Sequence, residues 1–284
     1  MPDSCVLDKI IQRGELRVAA RWDLTFEQFI NPHTGKPDGV VGRVGQLMAQ
    51  ELGVRVEFVV LEWEDQLDAL VEGRVDLLMK HTNLPRRALS VMFSDGALLE
   101  YEGVVLVRKE SAARGLEWLR GRRRLAGVAG ALQEDIIRQR FPNARYVPVP
   151  DNDEGAARVI DGSADGLLVD AGLHVPEACD YLTEASGDRV VLSRDASHPA
   201  VANGQFRFLR WVDNFMDFHK RLGTLDQIIS AAKAAHLEAR LSGGSARALI
   251  LVTWLAIDAS LLLNWSWPAI VPPCSTQRVS KARQ

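Results

Sequence analysis

The chain has 284 residues, 47% hydrophobic and 25% charged, with a net charge of −3. That composition excludes a disordered chain, a collagen and a polytopic membrane protein, and the slight acidity gives nucleic-acid binding no electrostatic support. At roughly 150 residues per domain, the length suggests about two domains. Cys5, Cys179 and Cys274 are too few and too scattered for a disulfide framework or a zinc site. None of the six histidines has the His-Glu-x-x-His spacing of a catalytic metal. No metal or cofactor is expected, and the absence of a Gly-x-Ser-x-Gly elbow disfavours a serine hydrolase. Residues 1–9 carry neither a basic region nor an apolar run, so they do not read as a secretory signal.

In chain order, residues 6–13 predict a short helix stopped by Gly14, and 16–20 a buried strand ending in a polar loop. Residues 31–38 are turn chemistry. Apolar residues at helical spacing over 43–52, closed by Gly53, are followed by a β-branched strand at 54–61, a helix at 65–73 and a strand at 75–79. This β-α-β-α-β order predicts a mainly parallel sheet with helices on both faces. A strand at 103–109 leads into a second unit, with strands at 124–130, 144–150 and 164–170 and helices at 132–141 and 154–162. Cys179 falls in a stretch read as helix. Short strands at 187–193 and 199–203 and amphipathic helices at 207–222 and 224–241 follow, and residues 242–245 (SGGS) read as a linker. Two α/β units imply two lobes. Ligands of such sheets sit at the carboxyl ends of the strands, here in the cleft between the lobes.

Five ordered motifs carry a resemblance: LDKIIQRGELRVAARWD ahead of NPHTGKPDG; ELGVRVEFVVLEWEDQLDALVEGRVDLL; LPRRALSVMFSD; DGSADGLLVD; and RFLRWVDNFMDFHKRLGTLDQI. Over about residues 6–240 the chain resembles the extracellular solute-binding proteins of family 3, the polar amino acid receptors of ABC transporters. The resemblance implies an α/β, two-lobed fold of the type II periplasmic-binding-protein kind, each lobe a mainly parallel sheet flanked by helices. By position, residues 1–108 would form lobe 1, 109–197 lobe 2 and 198–241 the return to lobe 1, with crossings near 108–110 and 195–199 as the hinge. It implies a non-catalytic protein outside the cytoplasm that closes on an amino acid and docks on a permease. Arg87 matches the arginine that clamps the ligand carboxylate, and Asp170 the carboxylate that receives the ammonium. Thr82, Asp23, Phe29, Trp63, Gly130, Ala131 and Leu132 match other cleft positions. The pairing makes chemical sense, because a zwitterion needs a cation and an anion, and a guanidinium fits a carboxylate with two parallel donors.

The chain departs from the family pattern at several positions. The acidic pair of Gly-Phe-Asp-x-Asp is replaced by Val41 and Arg43, a threonine by Leu84, and a threonine or serine by Ala131. Lys80, His81 and Arg86 add basic groups that would suit an acidic or phosphorylated ligand. Ligand identity therefore stays open. One branch of the fold dehydrates prephenate or arogenate, for which Glu27 and Glu134 are the candidate acids; a membrane-tethered sensor and a degenerate pseudo-receptor are further rivals. Gly39, Gly42 and Gly45 lack the dinucleotide-binding spacing and read as loop flexibility. The arginines at 120 and 122–124 read as a solvated turn.

Residues 248–267 are almost entirely apolar and about long enough to cross a bilayer. Asp258 at the centre would cost roughly 3 kcal/mol. A membrane tether, a docked helix and a frame-shifted extension are all compatible with this tail.

Overall fold

The computed structural model describes residues 5–22, 25–172 and 175–242. The predicted tail, including 248–267, lies outside them. In chain order the elements are α1 (Val6–Arg13), β1 (Glu15–Ala20), β2 (Phe29–Ile30), β3 (Pro37–Asp38), α2 (Gly39–Leu52), β4 (Arg55–Val60), α3 (Gln66–Val71), β5 (Leu78–Thr82), β6 (Val91–Phe93) and β7 (Leu99–Arg108). Then come α4 (Gly115–Leu119), β8 (Arg124–Val128), α5 (Leu132–Arg140), β9 (Arg145–Val149), α6 (Asn152–Ile160), β10 (Gly166–Asp170), β11 (Cys179–Tyr181), β12 (Val191–Ala202), α7 (Phe206–Arg221) and α8 (Thr224–Ser242).

Lobe 1 pairs β1 with β4 in parallel, and a parallel bridge between Val18 and Leu77 leads from β1 toward β5. Lobe 2 pairs β8 in parallel with both β9 and β10. The strands β1, β8 and β10 are buried on both faces, as apolar strands between helices require, while the edge strands β4 and β9 are only partly covered. In lobe 1, Val40, Val44 and Met48 of α2 pack with Phe208, Val212 and Phe215 of α7 on one side, and Ala69 and Leu70 of α3 pack with Leu78 and Ala200 on the other. In lobe 2, Ile136 and Ile137 of α5 cover one face and Ala156 and Val159 of α6 the other.

The expectation of mainly parallel sheets needs one amendment. The long strands β7 and β12 run antiparallel to each other from one lobe to the other, from Ser197 opposite Leu99 to Val191 opposite Val104. They join β5 and β6 of lobe 1 to β8–β11 of lobe 2 in one mixed, eight-stranded sheet, while β1 and β4 remain a separate pair. The two short strands expected at 187–193 and 199–203 are parts of this single β12. Leu99 packs in the lobe 1 core, while Val104 to Val107 pack in the cores of lobe 2. The first crossing therefore lies near residues 100–103, ahead of the 108–110 read from the sequence. Cys179, expected in a helix, opens β11 and is buried.

The three glycines read as a flexible loop belong to α2. Gly39 opens the helix at φ +85°, and a Cβ there would lie 2.7 Å from the Glu27 and Gln28 backbone. Only glycine tolerates both the angle and the approach. Gly45 lets the Phe58 ring lie against the helix, 3.0 Å from where a Cβ would stand.

Candidate functional site

Arg87 follows β5 on a tight turn: its amide and that of Ala88 donate to the Leu84 carbonyl at 2.9 and 3.0 Å. The turn carries the guanidinium inward, leaving the residue 6% exposed. Its Nη1 donates to the Thr82 carbonyl at 3.1 Å and its Nη2 reaches lobe 2, donating to the Gly130 carbonyl at 2.8 Å. Among the described residues no carboxylate pairs with it directly. Burial lowers its pKa to about 10, Arg86 pushes the same way and Asp135 opposes; it remains a cation at neutral pH. Its guanidinium carbon lies 5.8 Å from the Trp63 ring centre. Trp63 lies flat on the His81 ring, with centroids 4.2 Å apart and planes 3° from parallel. His81 is buried, and burial together with Arg87 and Lys80 pushes its pKa well below the ordinary imidazole range, so it is neutral.

Lobe 2 contributes the start of α5 and the end of β10. Gly130 takes φ +71° ahead of the helix, and Ala131 stands at its N-cap without a side-chain cap. Leu132 is the first helical residue, and the positive end of the helix dipole faces this loop. Asp170 is the last residue of β10, and its Oδ1 accepts from Gln133 Nε2 at 3.2 Å. Burial raises the Asp170 pKa to about 7; Glu27 and Asp195 add repulsion, while Lys80 and Gln133 oppose it. Asp170 is thus a carboxyl shared between its two protonation states near neutral pH.

Between these groups lies a buried polar network. The first turn of α2 fixes the loop before it, because the Val40 and Val41 amides donate to the Phe26 and Glu27 carbonyls at 3.2 and 2.8 Å. Glu27 is 6% exposed and its Oε2 lies 2.5 Å from Lys80 Nζ. Tyr101 of β7 sits 3.3 Å from Ser197 Oγ. Burial, with the charges of Glu27 and Asp170, drives its phenol well above its ordinary pKa.

The cluster thus gathers Arg87, Thr82, Trp63, Gly130, Ala131, Leu132 and Asp170 from the sequence-derived set. Phe29 stands apart: it is fully buried in β2 against His236, with centroids 5.6 Å apart. The structure therefore gives it a packing role. Asp23 lies outside the described residues. Tyr101, Gln133 and Asp195 were not foreseen. Gln133 was the most accessible of the three, since it follows Leu132 in the first turn of a helix already assigned to the cleft. Of the two acids considered for a dehydratase, Glu27 belongs to the cluster, whereas Glu134 is a structural carboxylate. Burial alone would raise the Glu134 pKa, but the Gly130 amide, Arg138 and Tyr146 hold it low. Arg43, where the family carries an acid, pairs with the α2 cap Asp38 at 2.6 Å. Among the described residues no His, Cys, Asp and Glu group could hold a metal, and no helix is long and apolar enough to cross a membrane.

The chain is similar to the cyclohexadienyl dehydratase of Pseudomonas aeruginosa (strain PAO1), at 26% identity over 78% of this chain and 83% of that one. It is also similar to the glutamine-binding protein of Geobacillus stearothermophilus, at 24% identity over 59% of this chain and 65% of that one. Among solved structures, the ancestral amino acid-binding protein AncCDT-1, described as a precursor of cyclohexadienyl dehydratase, matches with a TM-score of 0.69 and 28% identity, covering 80% of this chain and 99% of that one. The amino acid ABC transporter substrate-binding protein AbpA from Streptococcus pneumoniae, bound to L-arginine, shares the fold at a TM-score of 0.72 and 19% identity, over 81% of this chain and 98% of that one. A sequence profile of the bacterial extracellular solute-binding proteins, family 3, matches residues 16–231, and the chain belongs to that family.

Proposed function

We propose that the cleft binds an amino acid or similar small zwitterion, with its carboxylate on Arg87 and its ammonium on Asp170, and that the lobes close over it. The observation that carries this reading is the buried Arg87 guanidinium, whose direct partners among the described residues are two carbonyl oxygens. A buried cation without a counterion is costly, and an anionic ligand supplies one. The outer hydrogens of the guanidinium suit a carboxylate, and Asp170 supplies the opposite charge from the other lobe. The family supports a receptor role outside the cytoplasmic membrane, with the closed form docking on an ABC permease. Substituting Arg87→Ala in a folded protein is expected to weaken ligand binding by about 2–4 kcal/mol. Unchanged affinity in titration calorimetry would remove Arg87 from the site.

A second reading rests on Asp170. In a cyclohexadienyl acid, a carboxyl that keeps a proton near pH 7 can donate it to the departing ring hydroxyl, which leaves as water while the ring carboxylate leaves as CO2 and its electron pair aromatises the ring. This supports a dehydratase acting on a cyclohexadienyl acid such as prephenate or arogenate, with Asp170 as the acid in preference to Glu27, which is paired with Lys80, or to Glu134. Turnover of prephenate that disappears in Asp170→Asn would select this reading over the receptor.

A further inference from the structure

We propose that Lys80 occupies the cleft as a tethered cation, so that the protein selects against amino acids with a basic side chain. This rests on the amino acid reading above and names the ligand class that the site excludes.

The argument starts from the cleft's charges. With a ligand carboxylate on Arg87 and its ammonium on Asp170, a second ligand cation would need a further buried carboxylate. Glu27 is that group, at 6% exposed, and Lys80 Nζ already stands 2.5 Å from it. The pair is firmly held on both sides. The Glu27 main chain is tied to the start of α2. Lys80 sits between Met79 and His81 on β5, whose register is set by His81 opposite His198 of β12. The Lys80 ammonium also lies 5.9 Å from the centre of the Trp63 ring, the ring that Arg87 approaches to 5.8 Å. A lysine or arginine side chain would have to displace this ammonium from its carboxylate or sit beside it, and like charges at such separations repel strongly where water is scarce. Specificity would then come from a built-in repulsive element as well as from attraction.

The test is titration calorimetry of the full chain against a panel of neutral, acidic and basic amino acids, with Lys80→Ala and Lys80→Ala/Glu27→Gln as variants, each checked for cooperative melting. The expected result is that wild type binds a neutral or acidic amino acid and neither arginine nor lysine. Lys80→Ala should gain arginine or lysine binding by at least about tenfold, and the double variant, lacking the carboxylate as well, should lose that gain. Binding of arginine or lysine by wild type as tightly as its best neutral ligand overturns the proposal while leaving the amino acid site intact, and this arm needs no variant to fold. A folded Lys80→Ala that binds the neutral ligand but gains no basic one also overturns it alone. Failure of wild type and variants to bind any amino acid overturns the reading of the site and this inference with it.

Discussion

Asp170 is where a proton and a ligand ammonium compete for one carboxyl group. Only the ionised form attracts the ammonium, and the pKa of about 7 means that much of the carboxyl is protonated in neutral solution. Zwitterion affinity is therefore expected to rise about tenfold per pH unit below about 7 and to level off above it. Asp170→Asn should bind weakly with a flat profile. Calorimetric titrations between pH 5 and 9 check this, and an affinity that falls with rising pH would point instead to a ligand that accepts a hydrogen bond from the neutral acid. The same group predicts a stability effect without ligand. Its folded-state pKa lies above the ordinary 3.8, so the native chain holds a proton that the unfolded chain releases between those values. That contribution is present at low pH and is lost as pH rises through about 7. Asp170→Asn should accordingly raise Tm at pH 8 and change it little near pH 4.

At the scale of elements, the two lobes repeat one device. In lobe 1, Asp76 Oδ2 accepts from the Arg17 amide at 2.8 Å and Oδ1 from Arg17 Nη2 at 2.8 Å, while the Asp76 amide donates back to the Arg17 carbonyl at 2.9 Å. In lobe 2, Asp165 makes the same three contacts with Arg124, at 2.8, 3.0 and 2.7 Å. Each aspartate ties the segment entering the third strand of its unit to the first strand. The Asp76 side chain is 4% exposed and also holds Arg13, whereas that of Asp165 is 21% exposed. Asp76→Ala is expected to cost about 3 kcal/mol and Asp165→Ala about 1 kcal/mol, the more buried network losing more. Urea unfolding of the two variants checks the order; equal losses would show that burial does not set the difference.

These elements also show what the sequence could reveal and why. Helices closed by glycine were legible because the signals are local: Gly14 and Gly53 end α1 and α2 in the left-handed conformation. Arg87 and Asp170 were marked as candidates by motif resemblance and by their positions at strand ends. The run of β12 was not legible, because Arg194, Asp195, Ser197 and His198 at its centre are polar and break the apolar pattern. They cross between lobes beside the cleft, where polar side chains have partners. The glycines of α2 misled for a related reason: their role is close approach to Glu27, Pro37 and Phe58, which is set by tertiary contact. Tyr101 lies in a β7 segment whose cleft position depends on pairing with β12. Pairing across almost a hundred residues leaves no local mark.

For the molecule as a whole, cationic groups of lobe 1 reach across to lobe 2 around the site. Arg86 pairs with Asp135, Arg87 donates to Gly130, and Arg21 lies 3.5 Å from Asp151, the cap of α6. Beyond the β7 and β12 backbones, these contacts tie lobe 1 to lobe 2. Arg86 is half-exposed, so its pair is worth at most about 1 kcal/mol. Arg86→Ala should shift the ligand-free equilibrium toward open forms by up to about fivefold. Small-angle scattering should give a larger radius of gyration than wild type without ligand and the same radius at saturation. An unchanged radius in both states would mean that the ion pair does not bias closure.

The most direct test of the cleft is a thermal-shift screen of the full chain against single amino acids, small dicarboxylates, polyamines and prephenate. A ligand at a hundred times its Kd adds about 2.7 kcal/mol to folding, a readily measured rise in Tm. Arg87 and Asp170 working as a zwitterion clamp predict a shift from amino acids without a basic side chain, lost in Arg87→Ala. No shift from any amino acid by a well-folded wild-type protein would contradict the clamp.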